Sequence, residues 1–307
     1  MNWPKISYFA QYYLFFRVNI IGNLILKSTL VNKSFFVILL CLFITLQVSA
    51  QDKSYIQEGE VGITIGTAHY FGDLNKRADV SRIKPSFGIF FRKQFSNYIG
   101  LRLSGRYAQL GYSDQYSKNE VDNIRNLSFN TNVFEVALQG DFNFFRFEPG
   151  SPYYNFTPYV TLGVGLFTYD PYAFLKEEKY FLRPLGTEGQ NVPEFNKKQY
   201  GTTAIAVPFG VGLKYSVSDR FNVSLEVAHR FTNTDYLDDV STQFAGIENF
   251  EPNSPAALLQ DRSYELSTNK IGIRGAQRGN SKQKDQYMIA EFGISFNISS
   301  YRCPTAD

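Results

Sequence analysis

The chain is poor in the residues from which most active sites and metal sites are built. Its 307 residues include two histidines, two cysteines, two methionines and a single tryptophan. No zinc-ligand spacing, haem-attachment motif or nucleotide-binding glycine loop occurs, so no cofactor is implied. Charged residues make up 19%, below the roughly 25% of a typical soluble domain. A net charge of +3 is too small to call for a nucleic-acid partner. Mean hydropathy is slightly polar, which excludes a bundle of membrane helices. A transmembrane β-barrel tolerates such an average, because half of every strand and all of the loops are polar.

The one long apolar run lies near the start. Asn32-Lys33-Ser34 precedes Phe35 to Leu46, and Val48-x-Ala50 follows. This order predicts an export signal with cleavage after Ala50. The run is shorter than the ~18 residues of a membrane-spanning helix. Cys41 lacks small residues before it and does not read as a lipidation site. Residues 1–31 form an aromatic extension before the signal, and the only methionines are Met1 and Met288. This suggests a non-ATG start at Leu30 or Val31. The division expected is 1–50 extension and signal, 51–300 barrel, and 301–307 periplasmic tail. The mature part then holds one cysteine, Cys303, which cannot form an internal disulfide. It reads as a tolerated free thiol, the alternative being a bond to a partner chain.

Residues 202–216 define the fold class. Ile205, Val207, Phe209, Val211, Leu213 and Tyr215 alternate with Ala204, Ala206, Pro208, Gly210, Gly212 and Lys214. Period-two alternation is a strand with two unlike faces. Here one face is large and apolar, and the other is small. Small residues make a poor solvent face but a good lining for a narrow barrel with an apolar exterior. Similar alternation predicts strands over 58–70, 85–95, 98–112, 131–145, 156–168, 220–233 and 285–298. The connections alternate as well. They are long over 71–84, 113–130, 169–200 and 234–284, and short or moderate elsewhere. Short periplasmic turns and long outer loops characterise outer-membrane barrels. The expected fold is therefore all-β: an eight-stranded antiparallel transmembrane up-and-down β-barrel with long extracellular loops. Tyr70, Phe71, Tyr107, Tyr112, Tyr169 and Tyr172 are expected to form an outer aromatic girdle. Phe95, Tyr98, Phe144, Phe145 and Phe147 form the inner one.

Parity places Arg92, Arg102, Arg106, Lys214 and Arg230 inside the barrel with Glu60, Glu135, Asp141, Glu226 and Glu291. Eight strands leave an interior that side chains just fill. Five charges of each sign in so narrow a space predict ion pairs and a closed lumen rather than a pore.

Signals for catalysis are weak. His69 and His229 fall near outer strand ends, and no nucleophile elbow is present. A lipid-modifying enzyme would need a nucleophile beside one of them. Asp235, Asp238 and Asp239 could meet a hard cation, but their spacing is not that of a calcium loop, and a solvated loop face is the expectation. Arg274, Arg278, Lys282 and Lys284 fit a contact with lipid phosphates or an acidic partner and an ordinary wet loop equally well.

Several local words resemble those of a known family. Ala68-His69-Tyr70-Phe71-Gly72-Asp73-Leu74-Asn75 is similar to the opening signature of Bacteroidota outer-membrane barrels of domain-of-unknown-function family 6089. Leu138 to Phe145, Tyr180 to Gly189, Arg278 to Asp285 and Ser300 to Pro304 resemble the same group. That family looks related to the PorG-like barrels of type IX secretion. The resemblance implies an outer-membrane location and supplies no catalytic residues. The reading is thus a monomeric, non-enzymatic structural or docking barrel in contact with outer-membrane lipid. A periplasmic or secretion-system protein is the expected partner, and Tyr301, Arg302 and Cys303 in the tail are candidate contacts. Alternatives are a barrel that binds or transports small ligands and a lipid-modifying enzyme.

Overall fold

The structure, a computed structural model, describes residues 57–299 apart from 78 and 269. The export signal and the tail residues Tyr301, Arg302 and Cys303 lie outside the described residues.

Eight long strands make the wall: β1 (Gln57–Phe71), β2 (Lys84–Gln94), β3 (Ile99–Ser113), β4 (Ser128–Asn143), β5 (Phe156–Thr168), β8 (Thr203–Ser216), β9 (Phe221–Thr232) and β10 (Gln286–Ser299). Two short ones, β6 (Tyr172–Leu175) and β7 (Glu178–Phe181), form a hairpin in the third long loop. Each long strand pairs antiparallel with its neighbours in the chain, and β1 pairs with β10 to close the ring. Closure leaves none of the eight wall strands with an unpaired edge, which a bilayer demands. The strands match the alternation closely. The largest shift is at β4, expected from 131 and found from Ser128.

The outward face is apolar and exposed. Ile63, Ile89 and Val136 are each exposed by 60% or more. In water such a continuous belt would drive aggregation, and a bilayer covers it. Pro208 interrupts the β5–β8 ladder: pairing runs to Leu162–Phe209 and resumes at Gly165–Ala206. Proline has no N–H to give to the neighbouring strand.

Two expectations about the aromatic girdles need correction. Tyr70, Tyr112 and Tyr169 are buried in an interior cluster with Phe129, Phe167 and Tyr287. They sit on or beside inward parity under the outer loops, so water and lipid are excluded from them alike. Phe147 is also buried; its ring lies 5.1 Å from the Lys214 ammonium. Phe95, Tyr98, Phe144 and Phe145 are exposed as a girdle requires.

The long loops carry local structure of their own. The β6–β7 hairpin turns at Lys176 and Glu177, both at positive φ (49° and 70°), as a two-residue hairpin turn requires. A short helix, Glu120–Arg125, is capped by the Asn119 side chain. Another, Pro255–Gln260, begins on Ser254, whose Oγ accepts from the Ala257 N–H at 3.2 Å. A serine or asparagine cap satisfies amides that the first turn leaves unpaired.

Candidate functional site

The ten charged residues expected inside are all buried in the lumen. Strand register places like charges opposite each other twice: Arg92 faces Arg102, and Glu226 faces Glu291. Directly opposed like charges destabilise a sheet. Groups reaching across the lumen offset both. Asp141 lies 2.6 Å from Arg92 and 3.4 Å from Arg102. Arg106 lies 3.1 Å from Glu291 and 3.8 Å from Glu226. Glu60 takes a second bond from Arg92 at 2.8 Å, and Arg102 reaches Glu226 at 2.7 Å. Glu135 holds Arg106 at 3.4 Å and Arg230 at 3.5 Å. Tyr159 and Tyr287 donate their hydroxyls to Glu226 and Glu135, each at 2.7 Å. Ser295 donates to Glu60. Lys214 differs from the other nine: its Nζ is buried without a hydrogen-bond partner, between the rings of Phe147 and Tyr159.

Above this ladder the four long loops (72–83, 114–127, 169–202 and 233–285) are tied together by buried polar groups. Arg125 binds both oxygens of Asp114 at 2.7 Å. It also donates to the carbonyls of Arg278 at 2.5 Å and Asp73 at 3.2 Å. One guanidinium thus joins three loops. Arg278 contacts Glu188 at 3.3 Å as well as Asp239. Glu188 accepts from Ser241 N–H at 2.8 Å and from the Thr242 hydroxyl at 2.6 Å.

The aspartates expected on a solvated face belong to this buried set instead. Asp235 accepts from Ser241 Oγ at 2.5 Å, Asp238 from Tyr70 at 2.6 Å, and Asp239 from Tyr200 at 2.6 Å and from Thr187. The hydroxyl of Tyr70 also lies 2.9 Å from Asp285. That hydroxyl carries one proton and faces two carboxyl groups. Burial raises Asp238 and Asp285 well above the ordinary carboxylate range; the Asp285 carboxyl adds to the rise at Asp238, and the Asp235 carboxyl adds to it at Asp285. Burial likewise pushes Asp235 and Asp239 up to about 6, with Ser241 and Arg278 respectively opposing the rise. Arg278, accessible under either reading of the basic stretch, is instead 2% exposed. Its partners lie 39 and 90 residues away, beyond any local pattern.

Both histidines contact carboxamides and aromatic rings. His69 is buried and contacts Asn75 Nδ2 at 3.1 Å, with Phe71 and Tyr112 against its ring. His229 contacts Gln286 at 2.6 Å and lies between Phe71 and Phe231. Among the described residues, no group of three or more His, Cys, Asp or Glu side chains could hold a metal ion.

A closed ring of eight strands, an apolar exterior and a charge-filled interior define an outer-membrane β-barrel. Residues 33–251 match the domain of unknown function DUF6089, and the chain belongs to that family. A search of curated proteins returns no match. Similar solved structures include the N-terminal β-barrel domain of Pseudomonas aeruginosa OprF, at 12% identity and a TM-score of 0.34, covering 78% of this chain and 97% of that one. Neisserial surface protein A is similar at 9% identity and 0.39, with 78% and 97% covered. OprG of Pseudomonas aeruginosa follows at 11% and 0.33, with 81% and 100% covered. Likenesses this distant carry nothing about function.

Proposed function

We propose that the protein is a non-enzymatic scaffold that fixes a docking surface at the outer membrane. One observation carries the reading: opposite charges cross the lumen at several levels, and a loop cap bound by buried side chains lies over its outer end. Moving a solute through would separate buried ion pairs, and each separation is strongly unfavourable. Function then falls to the surfaces that the barrel presents. The loops face outward, and the tail bearing Tyr301, Arg302 and Cys303 is the candidate contact on the periplasmic side. The family resemblance favours a partner in a type IX secretion apparatus.

Deleting the gene and measuring export of cargo proteins tests the secretion role; unchanged export removes it. A pull-down from detergent-solubilised outer membrane tests docking. Large, steady conductance in planar bilayers would replace the scaffold with a transport barrel.

A further inference from the structure

The apolar belt is not uniform. A groove of about 690 Å³ indents its outer side across β2, β3, β4 and β5. Phe87, Ile89, Tyr107, Phe134, Val136 and Leu166 are among its walls. Its floor is Gly105, which has outward parity between the large residues Leu103 and Tyr107. A Cβ there would meet only Ile89, at 3.8 Å. The glycine therefore leaves open space in the wall where its neighbours fill it.

Polar groups crown this groove on the side of the long loops. Tyr107 packs on Phe134 with ring centres 5.0 Å apart. Its hydroxyl joins Asn132 at 3.1 Å and Gln109 at 3.0 Å. Next along β4 is Asn130, which pairs with Tyr172 of the β6–β7 hairpin and accepts from Arg82 at 3.4 Å. Lys179 of the same hairpin sits 3.8 Å above the Tyr172 ring. The order from bilayer to water is thus an apolar slot, a row of amides and hydroxyls, and two cations.

We infer that this surface holds one phosphorylated, acylated glycolipid of the outer leaflet. An acyl chain fills the slot over Gly105. The amides of Gln109, Asn130 and Asn132 face the sugar, and Arg82 and Lys179 face its phosphate. Three features favour this occupant over a protein segment: the slot opens onto hydrocarbon, the cations sit where headgroups lie, and carboxamides match sugar hydroxyls. The site is independent of the docking role proposed above. Each cation near a membrane surface contributes on the order of a fivefold change in affinity for anionic lipid.

The test is native mass spectrometry of the folded mature barrel released from detergent. Three probes are added in turn: bisphosphorylated lipid A, the same lipid without phosphates, and the phosphorylated diglucosamine without acyl chains. The wild type is expected to retain one lipid A. R82Q/K179Q should lower that retention on the order of thirtyfold, to the level of the dephosphorylated lipid on the wild type. Gly105→Phe should abolish it. Equal retention of phosphorylated and dephosphorylated lipid overturns the assignment. So does undiminished binding to Gly105→Phe, or binding of the chain-free sugar as tight as that of lipid A. Heat-modifiable migration on gels establishes that each variant is folded. Should Gly105→Phe fail to fold, R82Q/K179Q alone decides, since both side chains lie outside the wall.

Discussion

Arg106 of β3 reaches across the lumen to Glu291 of β10, with Nε 3.1 Å from Oε2 and two strands, β2 and β1, between them in the sheet. The same guanidinium contacts Glu135 and Glu226. Three carboxylates from three other strands thus converge on one cation. Arg106→Met should destabilise the barrel by about 3–5 kcal/mol, because it leaves buried charges uncompensated. Urea unfolding in lipid vesicles measures the loss. Adding Glu291→Leu should recover part of it. A double variant no better than the single one would count against direct coupling.

Lys214 offers the contrast. Its ammonium is buried with no hydrogen-bond partner, so its removal strands no bonded group. Lys214→Met is expected to fall within about 1 kcal/mol of the parent or to exceed it in stability. Arg92→Met, which breaks bonds to Glu60 and Asp141, should lose several times more in the same assay.

Two aromatic rings on the inner wall lie over glycines directly opposite them. Phe90 covers Gly62, and Tyr159 covers Gly212. A Cβ at Gly212 would come within 2.6 Å of Tyr159 ring atoms. Gly212→Val should therefore push Tyr159 off the wall and break its bond to Glu226. Slower folding into vesicles and a lowered unfolding midpoint are expected. Gly275→Ala is a useful companion. Its φ of 83° disfavours any side chain, but nothing lies within 4 Å, so the loss there should be the smaller one of backbone strain alone.

The loop cap should loosen as pH rises. Asp235 and Asp239 titrate near 6 in the folded chain, against about 3.9 when unfolded. Between those values the folded cap holds protons that the unfolded chain has released, so its stability falls as pH rises through about 4 to 6. Asp238 and Asp285, also raised by burial, act in the same direction. Hydrogen exchange of loop amides, corrected for intrinsic rate, should be more protected at pH 5 than at pH 8. Asp238→Asn should flatten the profile, and an unchanged profile would exclude Asp238 from the titration.

How far each of these features can be read from sequence depends on its range. The wall is legible because its rule is local: Val61, Ile63 and Ile65 alternate with Gly62 and Thr64 whatever lies elsewhere in the chain. The lining is legible for the same reason, since parity alone put Arg92, Arg102 and Arg106 inside. Their pairing was not, because Arg106 and Glu291 lie 185 residues apart. The cap was less legible still. Asp235, Asp238 and Asp239 look like solvated loop residues until Ser241, Tyr70, Tyr200 and Arg278 are placed around them. Tyr70 and Asp238 are 168 positions apart, and no periodicity links a strand end to a distant loop. The buried tyrosines were misplaced because at a barrel's rim the same residue type serves the lipid interface and the underside of a cap.

The pairing of β1 with β10 sets a condition on biogenesis. The strand that completes the ring is Gln286–Ser299, at the far end of the described chain. Until it arrives, β1 and β9 each present a bare row of amides and carbonyls, and hydrocarbon offers them nothing to bond. Most neighbouring strands are close in sequence, but this last seam joins residues more than 200 positions apart, as at Phe71 and Gln286. Closure of so long a loop is slow. Insertion and closure must therefore be concerted, or an assembly factor must lend a temporary edge. A chain halted before residue 286 would carry two adhesive margins, free to zip onto another unfinished copy.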